Sequence, residues 1–119
     1  MDTTVLVDLV RGRRDAREFI RSQMLKPSMS VVTLAELYAG VREGRQRRLI
    51  EQLRFSFEIV PVDDQIAESA GDFRRRFGKS HDVAIPDALI AASAMRVGAR
   101  LVSHNARHFP MFADVLVPY

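Results

Sequence analysis

Short runs that are apolar on both faces alternate with segments of helical periodicity along this chain, which restricts it to an α/β arrangement with parallel strands. Behind Asp2, the residues Val5, Leu6, Leu9 and Val10 recur at helical spacing and stop at Gly12. Asp15-Ala-Arg-Glu18 has the form of a capping box opening a second helix, which has to end before Lys26-Pro27. Met29-Ser-Val-Val32 reads as a buried strand, Thr33 to about Arg42 as a helix, residues 45–54 as a basic helix, and Phe57-Glu-Ile-Val-Pro-Val62 as the clearest strand. Asp64 opens a helix with Ile66, Ala67, Ala70, Phe73 and Phe77 on one side, closed by Gly78. Pro86 stands in the first turn of another helix that runs through Ala88 to Val97, with Gly98 as its cap. Residues 100–103 and 115–117 read as the last strands, and right-handed crossovers are expected between the β–α units.

With 119 residues and no repeat or linker, the chain is read as a single domain over residues 1–119. No run approaches the roughly 20 apolar residues of a membrane span, and the first ten residues lack the plan of a secretory signal, so the expected location is the cytoplasm, with no membrane partner. The absence of cysteine excludes disulfides, a thiolate nucleophile and cysteine-bound zinc, leaving chemistry to oxygen and nitrogen groups. Charge is uneven: residues 11–54 hold ten Arg and one Lys against five acids, a net of +6, while residues 55–119 hold seven bases against eight acids. The basic half is a candidate phosphate-facing surface, although Arg-rich helix faces such as Arg45, Arg47 and Arg48 also serve solubility alone.

Asp2, Glu36, Asp87 and Asn105 each lie just past an apolar, strand-like stretch, usually where a helix begins. In an open parallel sheet, residues distant in sequence converge outside the carboxyl ends of the strands. Three carboxylates meeting there would suit Mg²⁺ or Mn²⁺, hard cations that take oxygen ligands and keep several waters. Such an ion could bridge a scissile phosphate and activate a water for in-line attack. Ordinary structural roles exist for each acid taken singly. Asp2 can be an N-cap, Glu36 the partner of Thr33 in a capping box, and Asp87 an acid favoured by the helix dipole behind Pro86.

The segments Asp2-Thr-Thr-Val-Leu-Val-Asp8, Ser30-Val-Val-Thr-Leu-Ala-Glu-Leu37, Pro86-Asp-Ala-Leu-Ile-Ala-Ala92 and Leu101-Val-Ser-His-Asn105, in this order and spacing, resemble the four motifs of PIN-domain proteins, most nearly the VapC toxins of bacterial toxin–antitoxin pairs. The resemblance implies a three-layer α/β/α fold around a mainly parallel sheet, and a Mg²⁺- or Mn²⁺-dependent endoribonuclease acting on RNA through a metal-activated water. It further implies inhibition by a cognate VapB-type antitoxin that inserts a basic side chain among the carboxylates, and a homodimer or larger toxin–antitoxin assembly. Carried over by motif, Asp2, Glu36 and Asp87 would be the metal ligands and, with Asn105, the catalytic set; Thr3, Thr4, Thr33 and Ser103 match supporting polar positions.

Two departures stand out. Only Met1 precedes Asp2, where the family has a hydrophobic strand, so the first strand reads as truncated and the natural start is expected upstream. His108 lies where the family frequently has Asp, which favours one well-held metal over two; His104, His108 and His81 are open to phosphate contact or to plain structural use. Two other readings compete: a degenerate PIN domain that binds RNA or a partner without cutting, and a non-hydrolytic acid-pocket regulatory domain. Against the last, the only lysines are Lys26 and Lys79, neither near the fourth motif.

Overall fold

The computed structural model describes all residues from Met1 to Tyr119. In chain order the elements are α1 (Thr3–Val10), α2 (Arg14–Arg21), β1 (Ser28–Ser30), α3 (Val31–Ala39), α4 (Gly44–Ser56), β2 (Glu58–Val60), α5 (Asp64–His81), α6 (Ile85–Arg96) and a 3₁₀ turn, Ala106–His108. β1 and β2 pair in parallel, with Met29 opposite Ile59 and Ser30 opposite Val60. Beyond β1 the layer continues through isolated contacts. The Met1 amine donates to the Ser28 carbonyl at 3.0 Å, the Asp2 N–H to the Val102 carbonyl at 2.9 Å, and Val102 forms a parallel bridge with Leu116. Met1 and Asp2 thus hold the place of the central strand between β1 and the Val102 segment. Val60 and Val102 are accordingly buried and Val32 half-buried, so the sheet is not opened there.

Side-chain alternation along the short strands sorts the helices into two outer layers. Met29 and Ile59 face a core shared with Val5 and Leu6 of α1, Leu37 of α3 and Ile50 of α4. Val60, one residue on, faces Ile66 and Ala70 of α5 and Ala88 and Ala92 of α6. This is the three-layer α/β/α arrangement that the family resemblance implies. Helix α6 buries Ala88 and the whole run Ile90–Ala94, because small alanines let it approach the sheet on one side and Leu101 and Phe109 on the other.

The regular strands are shorter than the sequence suggests. Ser30 leaves β1 to cap α3, its Oγ accepting from the Val32 N–H at 3.1 Å, so Val31 and Val32 are helical despite their branching. β2 stops at Val60, since Pro61 has no N–H to continue a ladder. The strands expected at 100–103 and 115–117 shrink to the one Val102–Leu116 bridge. Neither capping box forms: α2 begins at Arg14 without a side-chain cap, and Thr33 and Glu36 both lie inside α3. Gly78 does not close α5, which runs on to His81, and the left-handed residue that ends it is Asp82 at φ 52°. Gly12 and Gly98 do follow their helices in that conformation, at φ 85° and 64°. No helix is long and apolar enough to cross a membrane.

Candidate functional site

Asp2 is the most constrained of the acids. It is 4% exposed, and its carboxylate accepts from the Thr3 N–H at 2.7 Å, the Ser103 hydroxyl at 2.7 Å and the Thr4 hydroxyl at 3.3 Å. Ser103, fully buried, also accepts from the Asn105 N–H at 2.9 Å, so one hydroxyl fixes both the first acid and the start of the fourth motif. The N-cap role open to Asp2 is therefore real, but it engages only one of its oxygens. Glu36 is exposed on α3, and the Thr3 hydroxyl donates to its Oε1 at 2.7 Å while lying 3.2 Å from the buried Thr33 hydroxyl. Asp87, half-buried in the first turn of α6, has its carboxyl pushed above the usual range, first by burial and then by the negative charges of Asp2 and Glu36, with His108 opposing.

Asp2, Glu36, Asp87 and Asn105 line one open cleft of about 330 Å³, together with Thr3 and Thr4. The acids from separate segments do meet on one face. They do not close into a tight cage, for no three Asp, Glu or His side chains come within metal-ligating reach of a common point. An all-oxygen, acid-rich and solvent-open donor set fits a hard divalent cation that retains water. A larger cavity of about 370 Å³ between α1, α2 and α4 has an apolar floor, a rim of Arg11, Arg17, Arg21 and Arg45, and a single acid, Glu43, so it carries no comparable chemistry.

Two further polar residues line the cleft: Asp8, which ends the first motif without an assigned role, and Arg11, which lies outside it. Their spacing is the signal that finds them, since Thr4, Asp8 and Arg11 follow one another at helical intervals on the face of α1 that begins at the site. Asp8 accepts from the Tyr119 hydroxyl at 2.7 Å, with Arg13 at 3.4 Å, and burial beside this carboxylate pushes the Tyr119 hydroxyl up to about 12. His104 packs edge-on against Tyr119 with ring centroids 4.4 Å apart, and its buried Nε2 lacks a partner. His108 Nδ1 lies 3.2 Å from the Asp82 carbonyl, and His81 lies 2.7 Å from the Ser80 hydroxyl, so neither lines the acidic cleft.

A profile of the PIN domain matches residues 1–115. Ribonuclease VapC10 of Mycobacterium tuberculosis is 37% identical over 122 aligned positions, which take in 100% of this chain and 91% of that protein. Ribonuclease VapC19 of the same organism is 37% identical over 124 positions, with 100% and 98% covered. Among solved structures, a chain of a toxin–antitoxin complex from Klebsiella pneumoniae superposes with a TM-score of 0.83 at 28% identity, covering 99% of this chain and 95% of that one. FitAcB from Neisseria gonorrhoeae, 22% identical, shares the fold with a TM-score of 0.75 over 98% and 95% of the two chains. The chain belongs to the PIN-domain family, within its VapC type.

Proposed function

We propose that this protein is an endoribonuclease toxin dependent on Mg²⁺ or Mn²⁺, restrained in the cytoplasm by a cognate antitoxin. The observation that carries the reading is the shared cleft of Asp2, Glu36 and Asp87, in which the other two acids help to hold the Asp87 carboxyl above its ordinary range. The relatives named as ribonucleases and the neighbour solved as a toxin–antitoxin complex support it. Asp2, Glu36 and Asp87 would hold the cation, whose bound form supplies charge neutralisation at a phosphodiester and a more acidic water. Ser103 and Thr3 orient two of those carboxylates, Asn105 offers an amide at the cleft, and Arg11 supplies a cation for an RNA phosphate. Cleavage would leave 5′-phosphate and 3′-hydroxyl ends.

RNA incubated with the protein and Mg²⁺ is expected to gain 5′-phosphate ends that EDTA suppresses; ends that form equally in EDTA would remove the metal from the reaction. The openness of the acids keeps a non-cutting, RNA-binding PIN domain in view, and intact RNA bound by the protein in Mg²⁺ would establish it. Millimolar Mg²⁺ should also raise the melting temperature reversibly, because a ligand held only by the folded state stabilises it by mass action. An antitoxin's basic side chain would answer the same carboxylates, and gains most where the partner excludes water. Of the apolar residues that a homodimer could use, Phe55 on α4 is 87% exposed, whereas Leu37 and Leu53 are core. Light scattering that finds a monomer at micromolar concentration would reject that part.

A further inference from the structure

Beside the acidic cleft lies a second cavity, of about 290 Å³, lined by Lys79, Ser80, His81, Asp82 and Arg107 and by no apolar residue. It forms where the end of α5 meets the 3₁₀ turn Ala106–His108. Two links tie it to the site. The turn begins directly after Asn105, which lines the cleft, and His108 reaches from the turn to the Asp82 carbonyl at 3.2 Å.

The cations of this cavity are unpaired. Every salt bridge in the molecule involves an arginine other than Arg107, and neither Lys79 nor Arg107 makes a side-chain hydrogen bond. A purely structural account covers only half of this. Lys79 and His81 lie in the last turn of α5, where positive groups complement the helix dipole. Arg107 comes from a different element, and its convergence on the same cavity has no such explanation. Asp82 is the one acid there, against Lys79 and Arg107, and the Ser80 hydroxyl and His81 ring, 2.7 Å apart, complete the polar lining.

We propose that this cavity is an RNA-phosphate subsite, in which Lys79 and Arg107 grip the backbone of the strand a short way along from the phosphate at the acidic cleft. The inference rests on the ribonuclease reading and extends it by giving the substrate a second anchor, at the 3₁₀ turn that follows Asn105. An acidic cleft repels an RNA backbone as strongly as it attracts a cation, so a neighbouring positive cavity supplies the sequence-independent attraction that the carboxylates lack. Two cations with a hydroxyl between them suit a single-stranded backbone, which needs no fixed helical groove.

The test is fluorescence anisotropy of a labelled single-stranded RNA in EDTA, where it stays intact, between about 50 and 200 mM salt. The protein carrying Lys79→Ala and Arg107→Ala is compared with the parent and with a charge-matched protein carrying Lys26→Ala and Arg54→Ala. Lys26 and Arg54 precede β1 and β2, at the end of the sheet away from the cleft. The subsite predicts affinity about tenfold weaker than the parent's and a plot of log K against log salt flatter by about 1.4, the change expected when two phosphates of a single strand are no longer neutralised. The Lys26 and Arg54 protein should stay near the parent. Equal affinity and slope in both double variants would overturn the subsite. So would unchanged RNA binding with weakened binding of an acidic antitoxin, which would assign the cavity to a protein partner. A parent that binds no RNA here yet forms 5′-phosphate ends in Mg²⁺ would also overturn the subsite, whereas a parent that neither binds nor cuts RNA would sink the ribonuclease reading on which the subsite depends.

Discussion

Asp87→Asn is expected to melt at a higher temperature than the parent in the absence of metal, while Mg²⁺-dependent RNA cleavage falls by about two to three orders of magnitude. Both effects come from one carboxylate. Burial and the charges of Asp2 and Glu36 hold the Asp87 carboxyl above its ordinary range, so its ionised form is worse off in the folded protein than in the unfolded chain. For an acid raised in this way, the folded state binds more protons than the unfolded one between the two pKa values, and stability is lost as pH rises through that window. Asn keeps the shape and removes the charge. The gain in melting temperature should therefore be present at neutral pH and vanish in acid, below the ordinary carboxylate range. Asp87 is half-exposed, so solvent screens the repulsion and the gain is a small one.

Activity moves the opposite way because the same repulsion is what a divalent cation relieves. The proton competes with the metal at a raised carboxyl, so Mg²⁺ affinity and cleavage in the parent should decline, as pH is lowered, at a higher pH than an ordinary aspartate would give. Thermal scans with and without Mg²⁺ across this range check both signs at once. An Asp87→Asn protein that is less stable than the parent at neutral pH, or that cuts RNA at the parental rate, would show that Asp87 does not belong to an electrostatically strained metal site.

Two of the acids are legible in the sequence because they sit where strand-like runs give way to helices, and the structure keeps Asp2 and Asp87 there, whereas Glu36 lies well inside α3. Asp2 and Asp87 stand at the start of α1 and in the first turn of α6, and Ser30 rather than Thr33 opens the helix that carries Glu36. The strands are less legible. Met29-Ser-Val-Val32 reads as one buried strand, yet the Ser30 hydroxyl captures the Val32 N–H and the backbone turns helical two residues early. The 100–103 and 115–117 runs pair through a single bridge, a tertiary outcome that no local pattern contains. Gly78 misleads for a related reason: a helix tolerates an interior glycine, and the break falls where Asp82 accepts a left-handed conformation. Nor does local pattern show how the segment before α1 is held. Met1 and Asp2 take a strand's place through two backbone hydrogen bonds, to Ser28 and to Val102, and sequence spacing says nothing of bonds at that range.

Ser103→Ala should cost about 2 kcal/mol of stability and lower cleavage, although Ser103 is buried beneath the cleft. The Ser103 hydroxyl donates to the buried Asp2 carboxylate at 2.7 Å and accepts the Asn105 N–H at 2.9 Å. Removing it leaves a charged acceptor short of one donor and a backbone donor short of its acceptor. Bonds to charged groups are worth more than neutral ones, and an unsatisfied buried group costs more than the net value of the bond it made. In urea the midpoint should fall while the slope stays that of the parent, since the fold and its exposed area on unfolding are unchanged. The loss of activity should exceed what the unfolded fraction explains, because Asp2 and Asn105 approach the cleft from different segments and this hydroxyl couples them. The cation's stabilising shift in melting temperature should shrink in the same variant. A Ser103→Ala protein with parental stability, and an unchanged response to Mg²⁺, would mean that Asp2 is oriented by Thr3 and Thr4 alone.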